Sequence, residues 1–426
     1  MASRVIACGQ LAARDLDEAS ASLADALDAI ADSGRAGAEL CVLPEGTYPG
    51  YVLGSADAGR AALTAGPDPV AAISAAARAA HIEVIAGIVL DEGDLLNAAV
   101  HFGSDGEIRG RAVKRFLWHF DRAWFAAGTP AEVVDGVGTL VCADGRLPEI
   151  AAGLVHRGAG LLVNSTAWVV SRPAPLGTNP QAEFLWRVRA LESGVAAVAC
   201  TKVGTEEHVA QYAGRSQIVA PDGTVVAVAS ATEAELLVAA VEVPERPRLP
   251  FGAPDLALAD TDAPPPRTRQ PTSGHAYVVV LADPGLAARI EHHGADLVVD
   301  PGGVVQSSLA TATLRGNEML AAGPPRRAAF EGAEVLVWML DDAPAPSSEA
   351  VARTRALENR VFVAVWRPLD AGGPLVIGPS GAVLASGPLD APHAVGASIL
   401  PAEAASKTVA PGTDLFSGVT ELGPVR

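Results

Sequence analysis

The same order of sequence motifs occurs twice in this chain, and this repetition limits the folds that it can adopt more than any other feature. An Arg-Ala-Leu-Glu motif at 189–192 ends a helix-like segment and precedes an apolar, strand-like run. The same motif at 355–358 precedes a similar run. In each half a Pro-x-Gly turn follows, at 221–223 and at 379–381. We therefore predict two copies of one α/β unit.

Strand and helix patterns alternate through the first copy. Apolar runs at 4–11 and 39–43 predict strands, and the helical spacing of apolar residues at 15–33 and 70–80 predicts helices. Three runs between 217 and 243 predict a closing antiparallel meander. This mixed order gives two sheets to cover and therefore predicts a layered sandwich with helices outside.

A proline-rich stretch separates the two copies. Eight prolines lie between Val243 and His275, a density that sustains neither a helix nor a central strand. We predict a catalytic domain at 1–245, a stiff, extended linker at 246–275 and a second domain at 276–426.

The second copy is shorter than the first and lacks its reactive residues. A helix is predicted at 285–293, and the segment 294–302 aligns Gly302 with Glu45 of the first copy. The second half contains no cysteine, and its one lysine, Lys407, lies in the tail. We expect the segment with the lysine hairpin and the cysteine turn to be absent, which leaves a structural or regulatory domain.

Three residues at predicted strand ends form a candidate catalytic set. Cys142 follows an apolar run and opens a polar turn before a helix, Glu45 follows a strand, and Lys114 follows a predicted hairpin at 95–113. A thiol in such a turn stands clear of the sheet. A glutamate can move its proton, and a lysine can stabilise an oxyanion. Together they favour acyl transfer from an amide or a nitrile, although singly they could be a strand cap, a solvated hairpin residue and the start of a charged helix.

Charge and composition exclude several classes of partner. The formal net charge is -18, which argues against nucleic acid and anionic membranes. No apolar run approaches the roughly 18 residues of a membrane-spanning helix, and the start does not resemble a signal peptide, so we expect a cytoplasmic protein. Cys8, Cys41 and Cys200 lie in strand-like runs and are expected to be buried. The cysteine spacing fits neither a zinc site nor a disulfide framework.

The residues around the three candidates resemble the nitrilase superfamily of carbon–nitrogen hydrolases. The resemblance rests on Leu-Pro-Glu ending at Glu45, on Lys114 after a hairpin that contains Asn97 and Gly106, and on Cys-x-Asp-Gly-x-x-Pro-Glu at 142–149. It covers about residues 3 to 245. It implies a four-layer α-β-β-α sandwich, a thioester acyl-enzyme, no metal and no organic cofactor. The second copy is then a truncated, degenerate nitrilase-like domain.

Departures from the family pattern narrow the substrate class. The family has a second glutamate after the lysine, for which Asp121 is the nearest match here, although a surface acid is an equal alternative. Ala143 follows the cysteine where many true nitrilases carry Trp-Glu, so the motif resembles the amidase branches. Ser193 and Lys202 also depart from the pattern and are expected to alter the pocket wall.

Other candidate substrate-binding residues lie near the ends of the same strands, and for any single one ordinary packing is an equal alternative. The full set is Tyr48, Trp118, Trp124, Ala143, Asn164, Thr166 and Trp168.

The resulting prediction is a cysteine-dependent amidase that converts a small, non-peptide amide to a carboxylate and ammonia. An amide-forming acyltransferase, a nitrile hydrolase and a non-catalytic scaffold remain alternatives. We expect the two domains to pack together as an intrachain pseudo-dimer, and further homo-oligomerisation stays open.

Overall fold

The computed structural model describes residues 2–170, 179–251, 272–283, 294–340, 347–387 and 393–422. They belong to two compact units, Met1–Pro250 and Phe251–Arg426. Most of the predicted proline-rich linker and the predicted helix at 285–293 lie outside the described residues. None of the helices in the described ranges is both long and apolar enough to span a bilayer.

Unit 1, which is Met1–Pro250, alternates strands and helices as its apolar periodicity predicts. Its strands are β1 (Ala2–Gln10), β2 (Leu40–Val42), β3 (Glu83–Asp91), β4 (Leu95–Phe102), β5 (Ile108–Val113), β6 (Val133–Val134), β7 (Val137–Val141), β8 (Leu161–Ser165), β9 (Ala196–Cys200), β10 (Val203–Glu206), β11 (Ala210–Ala213), β12 (Gln217–Val219), β13 (Val225–Val228) and β14 (Glu235–Val243). Its helices are α1 (Ala19–Arg35), α2 (Ala56–Ala65), α3 (Pro69–Ala80), α4 (Asp121–Trp124), α5 (Pro148–His156) and α6 (Trp186–Ser193).

Two six-stranded sheets form the middle layers of unit 1. Their strand orders are β14-β1-β2-β3-β4-β5 and β13-β12-β9-β8-β7-β6. Strands β1, β2 and β3 are parallel, as are β7, β8 and β9, so their carboxyl ends lie at the same edge of each sheet. Helices α1 and α3 cover the first sheet, and α5 and α6 contact the second. This is the predicted four-layer arrangement.

Small apolar side chains fill the space between the two sheets, which suits the alanine- and valine-rich sequence.

Strand β14 departs from the prediction, because it pairs with β1 over Ala2 to Gln10 rather than closing a meander with β12 and β13. Strand β14 is therefore the outermost strand of the first sheet. The core between the sheets includes Ile6, Cys8, Leu40, Val42, Ile85, Val141, Val163, Val198, Cys200 and Ile218.

Unit 2, which is Phe251–Arg426, also contains two sheets, of orders β17-β16-β15-β23 and β18-β19-β20-β21-β22. Its strands are β15 (Ala276–Leu281), β16 (Leu297–Asp300), β17 (Gly303–Ser307), β18 (Thr311–Arg315), β19 (Val335–Met339), β20 (Phe362–Trp366), β21 (Leu375–Ile377), β22 (Val383–Ser386), β23 (Ala394–Ile399), β24 (Thr408–Ala410) and β25 (Thr413–Asp414). The described helices are α7 (Gly323–Phe330), α8 (Ser348–Asn359), α9 (Ala402–Ala405) and α10 (Leu415–Glu421).

The repeated Arg-Ala-Leu-Glu motif makes the same contacts in both units. Arg189 donates to the carbonyl oxygens of Gly145 and Arg146, at 2.9 and 3.0 Å, in the turn after β7. Arg355 donates to the matching two carbonyls after β18, at 2.8 and 2.7 Å. In both units a buried arginine therefore holds the turn between a strand and the next helix.

The expectation that unit 2 lacks the cysteine turn is wrong. Gly316 follows β18 with a φ of 47°, and Cys142 follows β7 with a φ of 48°. The first residue of each turn has the same left-handed conformation and the same buried arginine contacts the turn, but Gly316 stands where unit 1 has Cys142. By contrast, β17 runs antiparallel to β16, whereas β3 runs parallel to β2, and the described residues of unit 2 include no hairpin matching β4–β5.

Candidate active site

Glu45 lies just beyond the carboxyl end of β2, between the two sheets of unit 1. Its backbone amide donates to the Thr166 carbonyl at 3.2 Å, which links the first sheet to the strand end of β8. Gly87 on β3 allows this approach, because a Cβ there would stand 2.5 Å from the Glu45 Cα. The Glu45 side chain is fully buried.

Lys114 reaches Glu45 from the end of the β4–β5 hairpin. Its amide donates to the Asn97 carbonyl at 2.8 Å, and its Nζ lies 2.7 Å from Glu45 Oε1. The Asn97 side chain donates to the same carboxylate oxygen at 2.7 Å. The hairpin therefore delivers a cation and an amide to one oxygen of Glu45.

Asp121, at the start of α4, is the second carboxylate of the site. Its Oδ2 lies 2.6 Å from Lys114 Nζ and accepts from the Trp118 amide at 2.7 Å. Its Oδ1 accepts from the Tyr51 hydroxyl at 2.9 Å. Because Asp121 is fully buried, it is not the surface acid that the sequence left as an alternative.

Cys142 occupies the turn between β7 and α5 in a left-handed conformation. A non-glycine residue at a φ of 48° is uncommon, and such residues cluster at functional sites. Asn164 donates to the Cys142 carbonyl at 3.2 Å, and the sulfur lies 3.9 Å from the Ala167 carbonyl. Cys142 is 7% exposed, whereas Cys8, Cys41 and Cys200 are fully buried, as predicted.

Asp144 joins this turn to the segment that follows Lys114. Its carboxylate accepts from the Val141 amide at 3.2 Å and from the amides of Arg115 and Phe116 at 3.0 and 2.8 Å. Burial raises the Asp144 pKa to about 6, although these hydrogen bonds oppose the rise. Asp144 therefore fixes the cysteine turn relative to the lysine.

Burial and charge set the proton affinities of the site. Burial raises the pKa of Glu45, although Lys114 and the Cys142 thiol both oppose the rise. Burial opposes a charge on Lys114, but the carboxylates of Asp121 and Glu45 hold its pKa well above the usual range. Burial and the Glu45 charge raise the pKa of Cys142 to about 12, while Lys114 lowers it. At neutral pH the sulfur is therefore a thiol and Lys114 is an ammonium ion.

Two buried oxygens of the site lack a hydrogen-bond partner of normal geometry among the described residues. They are Glu45 Oε2 and Thr166 Oγ1. Leaving such groups unpaired is costly, so unpaired groups at a site are suited to a proton or a polar ligand. Thr166 also acts on Cys142, since it lowers the pKa of the thiol.

The other predicted pocket residues divide between the site and the packing around it. Ala143 is buried beside Cys142, and the Trp118 ring lies 4.3 Å from the Arg146 guanidinium. The half-buried Trp124 ring packs on Phe120 at 4.6 Å.

Two predicted pocket residues lie deep in the packing. Trp168 is buried, and its amide donates to Thr201 Oγ1 at 3.0 Å. Tyr48 packs with Ile30 and Ile73 in the core between the first sheet and its helices, so its ring is not grouped with Glu45.

Three residues that the sequence did not assign to the site also belong to it. Asn97 and Tyr51 contact the two carboxylates, and Asp144 holds the turn. Asn97 and Asp144 lie within the motifs that suggested the family, so those motifs were the available signal. Tyr51 had only its nearness to Glu45 in sequence.

The family model of carbon-nitrogen hydrolases matches residues 5–247, more than half of the chain. The chain belongs to the carbon-nitrogen hydrolase family. The match covers the described sandwich of unit 1 and ends before the second unit, so it confirms the nitrilase-superfamily prediction for the first unit alone.

Relatives of this hydrolase include a nitrilase and an amidase. The chain is 31% identical over 222 residues to the nitrilase of Pyrococcus abyssi. The aligned region covers 50% of this chain and 80% of that protein. It is 29% identical over 221 residues to an (R)-stereoselective amidase of Pseudomonas sp, across 51% of this chain and 77% of that protein.

Among solved structures, the C. elegans NitFhit protein is similar to this hydrolase with a TM-score of 0.50 and 24% identity, over 56% of this chain and 61% of that chain. This likeness supports the α/β fold of the hydrolase.

Proposed function

We propose that this hydrolase cleaves the C–N bond of a small-molecule amide and releases a carboxylate and ammonia through a thioester on Cys142. The observation that carries the proposal is that the two carboxylate oxygens of Glu45 have different surroundings. One carboxylate oxygen is held by Lys114 and Asn97, while the other is buried without a normal hydrogen bond among the described residues. A base held in this way can accept a proton from the neighbouring thiol.

In the first step the Cys142 sulfur attacks the amide carbonyl carbon as its proton passes to Glu45. The Lys114 ammonium stabilises the charge that develops on the carbonyl oxygen. Glu45 then returns the proton to the amide nitrogen, the C–N bond breaks, and ammonia leaves. One amide and one thiol thus become one thioester and one ammonia.

In the second step Glu45 takes a proton from water, and the resulting oxygen nucleophile attacks the thioester carbonyl. The C–S bond breaks, the sulfur regains its proton, and the carboxylic acid leaves. Because the pKa of the resting thiol is about 12, proton transfer to Glu45 accompanies the attack rather than preceding it. The raised pKa of Glu45 suits it to accept a proton and then return it.

Acyl transfer to an amine uses the same acyl-enzyme and is the nearest alternative. The relatives include both a nitrilase and an amidase, and the Cys-x-Asp-Gly motif is the feature that favours amide hydrolysis over attack on a nitrile. A non-catalytic scaffold would have no use for a buried, unpaired carboxylate oxygen beside a thiol.

Incubating the protein with a panel of small aliphatic and aromatic primary amides tests the proposal. We expect stoichiometric ammonia and carboxylate, and little change in that ratio when glycine is added as an acceptor amine. If the acid is replaced by an amide of the added amine, the acyltransferase is correct. Amides that release no ammonia from a folded protein would favour the scaffold, and release from nitriles alone would favour the nitrile hydrolase.

For unit 2 we propose a degenerate copy of the same fold that takes the place of a second subunit. The order β18-β19-β20-β21-β22 matches β7-β8-β9-β12-β13 in strand direction, and the turn at Gly316 matches that at Cys142. Glycine at Gly316 removes the nucleophile and keeps the backbone.

A chain that ends at Pro250 tests this role for unit 2. Loss of a built-in partner is expected to expose apolar surface, so the shortened protein should self-associate or lose activity. Sedimentation velocity and ammonia release report both effects. A soluble, monomeric and fully active fragment would show that unit 2 does not replace a subunit.

A further inference from the structure

The loop that follows Glu45 is buried, and one carboxylate holds its far end. Residues 46–53 are all buried. Glu206 Oε1 accepts from the amides of Tyr51 and Val52, at 2.5 and 2.7 Å. The same oxygen lies 3.0 Å from where a Cβ of Gly50 would stand, so no larger residue fits there without a shift. Because buried amides need partners, Glu206 determines the path of this loop.

The second oxygen of Glu206 is also occupied. Its Oε2 lies 3.0 Å from Lys202 Nζ and accepts from the Tyr212 hydroxyl at 2.7 Å. Lys202 Nζ also donates to the Gly46 carbonyl at 2.7 Å, at the beginning of the loop. Lys202 and Glu206 are buried, and charge-assisted hydrogen bonds are strong. This ion pair therefore holds both ends of the loop.

The far end of the loop contacts the active site through Tyr51. Its hydroxyl donates to Asp121, whose other oxygen contacts Lys114. Burial and the Asp121 charge hold the pKa of Tyr51 well above its usual range, so the phenol stays protonated and donates. A continuous path of contacts thus runs from Glu206 to the lysine of the site.

We infer that Lys202 and Glu206 are a positioning pair for hydrolysis, which hold the Tyr51 hydroxyl on Asp121 and thereby set the charge balance around Lys114 and Glu45. The inference rests on the proposed function. Lys202, which the sequence suggested as a change in the pocket wall, contacts the backbone of the loop and Glu206. The pair acts through Tyr51 rather than by touching substrate.

The variant Glu206→Gln in the full-length protein tests the inference. Both oxygens of Glu206 accept hydrogen bonds, so the NH₂ group of a glutamine would face donors at either position. The loop is then expected to shift and the Tyr51 hydroxyl to move away from Asp121. We expect kcat on the best amide of the panel to fall about 10-fold to 100-fold, with KM nearly unchanged. Without the hydrogen bond from Tyr51, more of the negative charge of Asp121 acts on Glu45, which raises the Glu45 pKa. The acid limb of the rate profile then moves up by roughly half a pH unit to one unit.

A double-mutant cycle shows whether the effect passes through the tyrosine. Tyr51→Phe should shift the acid limb in the same direction, and the double variant should shift it no further. Glu207→Gln is the matched control, because the Glu207 carboxylate accepts from the Leu16 amide instead and its loss should leave the profile unmoved.

If Glu206→Gln does not fold, Tyr212→Phe removes a single donor from the carboxylate. Tyr212→Phe should shift the acid limb in the same direction as Glu206→Gln but by less. In a protein that already carries Tyr51→Phe, it should cause no shift. An unmoved profile, or additive effects in the cycle, would overturn the inference while Cys142 remains essential. Ammonia release that is independent of Cys142 would instead overturn the proposed function.

Discussion

Replacing Cys142 by alanine is expected to abolish ammonia release from every amide that the wild-type protein hydrolyses, with kcat falling at least about 10⁴-fold. No other thiol can substitute, because the remaining cysteines are fully buried within strands. Folding should be nearly unaffected, since the polar contacts of the sulfur are weak, as is that with the Ala167 carbonyl at 3.9 Å. Ammonia release and thermal unfolding measure the two effects. Undiminished ammonia release from the pure variant would contradict the proposed nucleophile.

Alkylation provides the control for this prediction. Iodoacetamide should modify Cys142 first and inactivate the protein, while Cys200→Ala should keep its activity. Because the Cys142 pKa is about 12, the alkylation rate should still be rising at about pH 10. A plateau below about pH 8 would show a resting thiolate, which is contrary to the proposed mechanism.

Replacing Lys114 by methionine should damage both activity and stability. The ammonium lies between two fully buried carboxylates, at 2.7 Å from Glu45 and 2.6 Å from Asp121. Removing one partner of a buried ion pair costs about 3–5 kcal/mol of the free energy of unfolding. Removing an oxyanion stabiliser lowers kcat by about 10²- to 10³-fold. Urea denaturation and ammonia release test these values.

The stability loss in Lys114→Met should depend on pH. Without the cation, repulsion from the Asp121 charge raises the pKa of Glu45 in the folded state further above its unfolded value. A raised carboxyl pKa stabilises the fold at low pH and the effect is lost as pH rises through the folded pKa, so the variant should be relatively more stable near pH 5 than near pH 8.

The double variant Lys114→Met/Asp121→Asn separates stability from chemistry. It removes one of the facing charges and should regain part of the lost stability without regaining activity. A folded Lys114→Met protein that keeps its kcat within about tenfold would contradict the proposed role of the lysine in stabilising the oxyanion.

The positions of the reactive residues could be predicted because each follows a strand with a clear apolar pattern. Glu45 follows β2 in the first sheet and Cys142 follows β7 in the second, so the packing of the two sheets brings them together although they are distant in sequence. The family pattern also led to Asp121, whose shorter side chain still reaches Lys114 because α4 begins at that residue.

Contacts made by loops could not be predicted in this way. Tyr51 and Glu206 are separated by 155 positions, and their hydrogen bond depends on a loop path that apolar periodicity does not encode. The pairing of β14 with β1 was missed because three successive strand patterns do not reveal which sheet the last one joins. The turn at Gly316 was missed because its backbone persists without the cysteine that marked it.

Intact-protein mass spectrometry of the wild-type protein, acid-quenched within the first turnovers of a saturating amide, tests the thioester most directly. Because the acyl-enzyme forms before water attacks it, part of the protein should carry an acyl group, with a mass equal to the amide less ammonia. Peptide mapping should place it on Cys142, and hydroxylamine should remove it. A protein that releases ammonia while Cys142 stays unmodified, or an acyl group on another residue, would contradict the mechanism.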